Sequence, residues 1–455
     1  MRYLLSYLFL FIFSGYTFAE EELTYSGTLP VFYINTEGGQ DIVSKDNYIN
    51  ATCYIDALGI EGYESLGSET SPVFLQIRGR GNWTWTSFDK KPYRIKFSEK
   101  VSILGLTKNK HFVLLAHADD AVGFLKNTVG FELSRLMKME WTPEQRPVEV
   151  VLNGEYIGLY FLTENIRVDK NRVNITEQKD EETNPELITG GWLVEIDNYE
   201  DSNQISVDVS GTNLTSLRIT YHSPEVLSDI QRDYLVSQFN SIINEIYTAD
   251  KSATGWEELI DVESLVRYYV LSEAIDHIEA FQGSCYLYKD LNEKHWKFGP
   301  VWDFGHAFNG FHSKQKYIYD YPAWDHCIVE EIAKFPHFQD YVKNVWREFC
   351  LDIYPKIDSF IDDFVRQIGV AAKYDAARWP QYGNADEQAA AELVKQRFNE
   401  KIQWLSTQWG DYLWIDERTV DKQTKTSNVY DLSGKRLSII HHHQLLIDNR
   451  GKYIQ

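Results

Sequence analysis

The chain has 455 residues, 15% of them aromatic, 13 of them Trp, and a formal net charge of −22. Such a composition suits a packed globular protein of two or three domains and argues against disorder. The acidity disfavours a nucleic-acid backbone as partner, since like charges repel.

Residues 1–19 read as a signal peptide. Arg2 supplies the positive start, Leu4 to Phe13 is an apolar run, and Phe18-Ala19 precedes three glutamates. The run is too short to span a bilayer and no other stretch is long and apolar enough. The expectation is an exported protein with no transmembrane segment: periplasmic, cell-surface or secreted. Four cysteines, Cys53, Cys285, Cys327 and Cys350, lack the spacing of a zinc site. An exported chain may pair them, but scattered thiols in so large a protein need not be bonded.

Residues 20–68 carry two strand patterns, Leu29 to Ile34 and Asn50 to Asp56, and read as a small β region. A third strand, Val73 to Ile77, runs into Arg78-Gly79-Arg80-Gly81-Asn82-Trp83-Thr84-Trp85. A fourth, Tyr93 to Phe97, alternates apolar Tyr93, Ile95 and Phe97 with Arg94 and Lys96. Glycines and cations between two strands can cradle an anion, because backbone N–H groups approach a phosphate closely. A hairpin with a basic rim has the same signature. His111 to Ala116 reads as a buried strand, and Asp119 or Asp120 as the cap of a helix over 121–137. Val148 to Leu152 and Tyr156 to Leu162 flank Asn153-Gly154, a tight-turn signal, and lead to Glu164. Residues 190–197 give one more strand.

Beyond about residue 225 the spacing turns helical, over 230–247, 262–278, 327–333, 338–351, 357–372 and 386–409. Between the second and third of these, a short hairpin (285–288 and 295–301) ends in Trp302-Asp303-Phe304-Gly305. The last stretch, 416–455, looks like a short β module. His441-His442-His443 within it could bind a metal but reads more simply as an incidental surface run.

Two acids stand out. Glu279 (or Asp276) follows a helix, and Asp303 follows the next hairpin beside a glycine turn. With the Arg/Gly loop and the lysines of the β-rich half, they supply what phosphoryl transfer needs: cations for phosphates, a carboxylate for Mg²⁺, and a carboxylate to orient the attacking hydroxyl.

The chain resembles the spore coat protein H (CotH) kinase family, in a form typical of exported Bacteroidetes proteins. Five blocks carry the resemblance, in the family's order: Arg78 to Asn82 with Trp85; Lys90 to Phe97; Leu152 to Tyr160 running on to Glu164; Cys285 to Asp290; and Phe298 to Phe304. The resemblance implies an α+β, atypical protein-kinase-like, two-lobed fold over residues 69–415, with small β appendages at both ends. It also implies ATP and Mg²⁺ (or Mn²⁺), and phosphorylation of Ser on a protein substrate. By position, Asp303 would hold the metal. Lys91 or Lys96, with Arg78 and Arg80, would face the phosphates, and Glu164 would support the nucleotide site. Three positions depart from the family: Glu279 stands where Asp is usual as the base, Ser284 where a metal-binding Asn is usual, and Gly305 where a second Asp is common. These departures leave an alternative, a catalytically inactive pseudokinase that binds surface glycan or protein through Trp83, Trp85 and Trp302.

Overall fold

A computed structural model of the chain describes residues 24–209, 216–308, 315–321, 327–382 and 386–413, with the backbone of three short strands beyond them. The expected signal peptide and the three-histidine run lie outside the described residues.

The first layer is a closed barrel of seven strands: β1 (Val31–Thr36), β2 (Ile49–Asp56), β3 (Val73–Gly79), β4 (Tyr93–Ile103), β5 (Leu106–Leu115), β6 (Gln145–Leu152) and β7 (Glu155–Glu164), in the order β1-β2-β3-β4-β5-β7-β6. The helix α1 (Trp83–Ser87) lies in the loop between β3 and β4, and α2 (Leu125–Leu136) between β5 and β6. Antiparallel neighbours make every pairing except the last, where β6 returns parallel to β1 with Val31 opposite Glu149. Period-two alternation drives the closure. Leu75 and Ile77 on β3, and Ile95 and Phe97 on β4, point inward and are almost fully buried. Each such side chain stabilises the barrel by about 1.5–3 kcal/mol. Asn153 and Gly154 turn β6 into β7 with φ of 52° and 84°, as the Asn-Gly signal demands.

The second sheet has five strands in the order β12-β11-β8-β10-β9: β8 (Trp192–Ile196), β9 (Gln204–Asp208), β10 (Ser216–Ser223), β11 (Cys285–Lys289) and β12 (Lys297–Phe298). Helices α3 (Asp229–Ile246), α4 (Val262–Ala274), α5 (Cys327–Ile332), α6 (Pro336–Glu348), α7 (Tyr354–Arg378) and α8 (Glu387–Trp409) complete the body. Local chemistry fixes their starts. Ser228 and Gln231 form a reciprocal capping box on α3, and Asp261 accepts from Ser264 N at 2.8 Å on α4. One core runs from the outer face of the barrel (Val113, Leu115, Phe161) through α2 to the second sheet and helices. The buried Lys90–Asp375 pair, 2.7 Å apart, ties the loop before β4 to α7.

The mixed α+β architecture is the expected one, but residues 20–68 are not a separate appendage. β1 and β2 are two of the barrel's seven strands, because β6 needs a partner on its free edge and β1 supplies it. Strands β13 (Val429–Tyr430), β14 (Leu446–Asp448) and β15 (Tyr453–Ile454) pair as a small antiparallel sheet. None of the helices in the described residues is long and apolar enough to cross a membrane.

Candidate active site

Asp303 is delivered by the loop after β12 and held by α2. Phe304 N donates to Asn127 Oδ1 at 2.8 Å, and Lys126 Nζ donates to Gly305 O at 2.6 Å. The Phe304 ring lies against Gly130, where an added Cβ would come within 2.3 Å of it. The Asp303 carboxylate is exposed, on a backbone with φ of 56°. Residues at left-handed φ recur around it: His117 (48°), Asp276 (52°), Phe281 (68°), Ser284 (49°) and Phe308 (51°). Each costs of order 1 kcal/mol and persists because the surroundings over-determine it, a pattern concentrated at functional sites.

Asp119 joins Asp303. Asp303 Oδ1 and Asp119 Oδ2 lie 3.3 and 3.4 Å from the point where a Cβ on Gly305 would stand, so a side chain there would press on both. Glu279 completes the group. The helix α4 stops at Ala274, Asp276 reverses the chain, and Glu279 sits in the loop before β11. Asn198 Nδ2 donates to its Oε1 at 3.2 Å, and His306 Nε2 stands 3.6 Å from its Oε2. Gly283 leaves it room, since a Cβ there would meet Oε1 at 2.8 Å.

Burial, followed by the charge of Asp303, pushes the Glu279 carboxyl up to about 8. The same two causes, in the same order, raise Asp119 to about 6. Asp197, on the strand side of the cleft, rises to about 6 through burial and then Glu195. Opposite these acids stands Arg80. Its guanidinium lies 5.6 Å from the centre of the Trp302 ring. Burial lowers its proton affinity, and Asp303 opposes that fall.

Other expected residues lie elsewhere. Arg78 points outward from β3, stacked on Tyr48 with its guanidinium carbon 5.0 Å from the ring centre. Lys91 Nζ donates to Trp85 O at 2.7 Å and so holds the β3–β4 loop together. Lys96 is exposed on the outer face of β4. Glu164 is buried at the end of β7, where it accepts from the Thr107 hydroxyl and from Glu144 N. Among the described residues no hydrogen bond ties the Ser284 hydroxyl to Asp303. Of the three tryptophans expected to form a binding surface, only Trp83 is open, at 53% exposure. Trp302 is buried, and Trp85 packs its ring under Gly79.

Asp119, Lys126, Asn127, Asn198 and His306 escaped the sequence reading. The pair Asp119-Asp120 was legible as a cap, and Asp120 does accept from Val122 N and Lys126 N. That leaves Asp119 for the site, a division that nothing in the local sequence marks.

Hard carboxylate oxygens from two separate loops, one exposed and one partly buried, beside an arginine, suit a Mg²⁺ ion that takes its remaining ligands from water and phosphate. Among the described residues no cluster of three or more His, Cys, Asp or Glu is arranged to hold a metal by itself. The group of acids sits in a mixed α+β fold built of a closed barrel, a second sheet and a helical body. The family model described as CotH kinase protein matches residues 77–409, and the chain belongs to that family. No curated protein matches the chain significantly.

Proposed function

We propose that this chain is an exported, atypical protein kinase that moves the γ-phosphoryl group of ATP to a serine hydroxyl on a protein substrate. The barrel and the helical body would serve as its two lobes. The observation that carries this reading is the convergence of Asp303, Asp119 and Glu279 opposite Arg80. Asp303 and Asp119 would hold Mg²⁺ or Mn²⁺, which when bound supplies positive charge for the phosphate oxygens. Arg80 would bind phosphate and stabilise its charge in flight. Glu279 accepts the hydroxyl proton as the serine oxygen bonds to the γ-phosphorus and the bond to the ADP oxygen breaks. Only its ionised form can accept that proton, so transfer is expected to rise with pH toward about 8. Asn198 keeps Oε1 oriented.

The binding-module reading needs a surface of open aromatic rings, and Trp83 alone is a poor one. The test is phosphate transfer from γ-labelled ATP, with Mg²⁺ or Mn²⁺, to the chain itself or a serine peptide. Asp303→Asn is expected to lower transfer by about 100-fold or more. Equal transfer by wild type and variant would remove Asp303 from the chemistry.

A further inference from the structure

Besides Arg80, the outer face of the barrel carries cations that the chemistry at Asp303 does not need. On β3 and β4 the inward positions are apolar, and the outward ones are Arg78, Arg94 and Lys96, with Arg80 just past the end of β3. Arg78 stands opposite Arg94, and Lys96 opposite His111 on β5. Arg167, after β7, and Arg172 add to the field that His111 feels. Burial first, and then these cations, push His111 down to about 3, so it stays neutral and takes no part in compensating them.

In a chain of net charge −22 these cations lack the usual partners. Among the described residues, no carboxylate lies within ion-pair distance of Arg78, Arg80, Arg94, Lys96 or Arg167. Arg94 has one neutral partner, Asn165 Oδ1 at 3.1 Å, and Arg78 has a buried Nε with none. Like charges set side by side on neighbouring strands destabilise a sheet, so something outside the barrel has to justify the arrangement.

The spacing says what. Alternate residues on a strand are about 7 Å apart. The Arg78–Arg94 pair and Lys96 therefore make a row with that repeat, beginning one step from Arg80 at the reactive carboxylates and running up the barrel. An extended peptide presents one face with the same repeat. We propose that this row is a substrate subsite for an acidic polypeptide, which places anionic side chains at alternate positions beside the serine to be phosphorylated. This inference rests on the kinase reading and adds to it the class of substrate. The anionic groups are carboxylates or phosphates already on the chain.

The test uses the full chain and three serine peptides of equal length, carrying Glu, phosphoserine or Lys at alternate positions. Binding is read by fluorescence anisotropy at low salt. The Glu or phosphoserine peptide is expected to bind and the Lys peptide not. Arg94→Gln with Arg167→Gln is expected to weaken the acidic peptides by about tenfold, while the melting temperature does not fall and the stabilisation by ATP with Mg²⁺ stays unchanged. Preference for the phosphoserine peptide over the Glu peptide identifies phosphates as the natural groups, and the reverse identifies carboxylates. Equal binding of acidic and basic peptides, an unaffected double variant, or an oligonucleotide of equal charge binding as tightly as the peptide would overturn the proposal. Peptide binding without any phosphate transfer would keep the subsite and sink the kinase reading. Transfer with no acidic preference would do the opposite.

Discussion

Glu279 is the residue on which the site turns, and its protonation makes a stability prediction. In the unfolded chain it titrates near 4.5, and in the fold at about 8. Between those values the folded chain holds a proton that the unfolded chain has released, so stability falls as pH rises. His111 and His117 oppose this at lower pH, since burial drives both down to about 3 and the unfolded chain binds their protons below about 6.5. The carboxyl contribution therefore shows alone between about pH 6.5 and about pH 8. The melting temperature of the metal-free protein is expected to decline across that interval, and Glu279→Gln to flatten the decline. An unchanged slope in the variant would mean that Glu279 is already ionised at neutral pH.

The element that organises the site is α2, a helix of twelve residues whose Lys126, Asn127 and Gly130 all serve the Asp303 loop. Gly130 lies mid-helix, where glycine costs about 1 kcal/mol relative to Ala. The Phe304 ring explains its presence. Gly130→Ala would gain helix propensity but force a methyl into that ring, for a net loss of about 1–3 kcal/mol. Chemical denaturation measures this, and phosphate transfer should fall with it as Asp303 moves. A more stable variant would show that the ring has room to shift.

Helices and hairpins of this kind were mostly legible from local pattern. The Asn153-Gly154 turn and the apolar spacing of α3 are signals within a few residues of one another. The end of α4 was not legible. Apolar spacing continues to Ile278, but Asp276 turns the chain at a left-handed φ, held by Lys401 on α8 at 3.2 Å. That partner is distant in sequence, and so is the contact between Asp119 and Gly305 that completes the acidic group. Strands β9 and β10 escaped because each is a short pattern whose register only the other, and β8, defines.

At the scale of the molecule, the barrel and the helical body share a core and a set of polar links that join β7 and the loop before β4 to α7. Lys90 is among the most buried. Its ammonium meets Asp375 Oδ1 at 2.7 Å and Leu159 O at 2.8 Å, and Asp375 also accepts from Leu159 N. Burial lowers the proton affinity of Lys90 and raises that of Asp375, while each offsets the other's shift. Removing one partner leaves the other charge stranded. Lys90→Met is expected to cost about 3–5 kcal/mol, and Lys90→Met with Asp375→Leu distinctly less. Equilibrium unfolding of the three proteins reads the coupling directly, and additive losses would mean that the pair holds nothing together.

The parallel pairing of β1 with β6 has a consequence in time. Strand β1 ends at Thr36 and its closing partner begins at Gln145, so more than a hundred residues separate the two sides of the seam. Long-range pairings form slowly because the intervening chain must first be ordered. A chain emerging N-terminus first presents β1 and β2 as a lone hairpin until β3 pairs with β2, and the outer edge of β1 stays open until β6 arrives. Such a hairpin is at best marginally stable in water, and open strand edges invite pairing with other chains. The barrel is therefore assembled by its last strands, and its earliest residues are the ones most in need of protection while they wait.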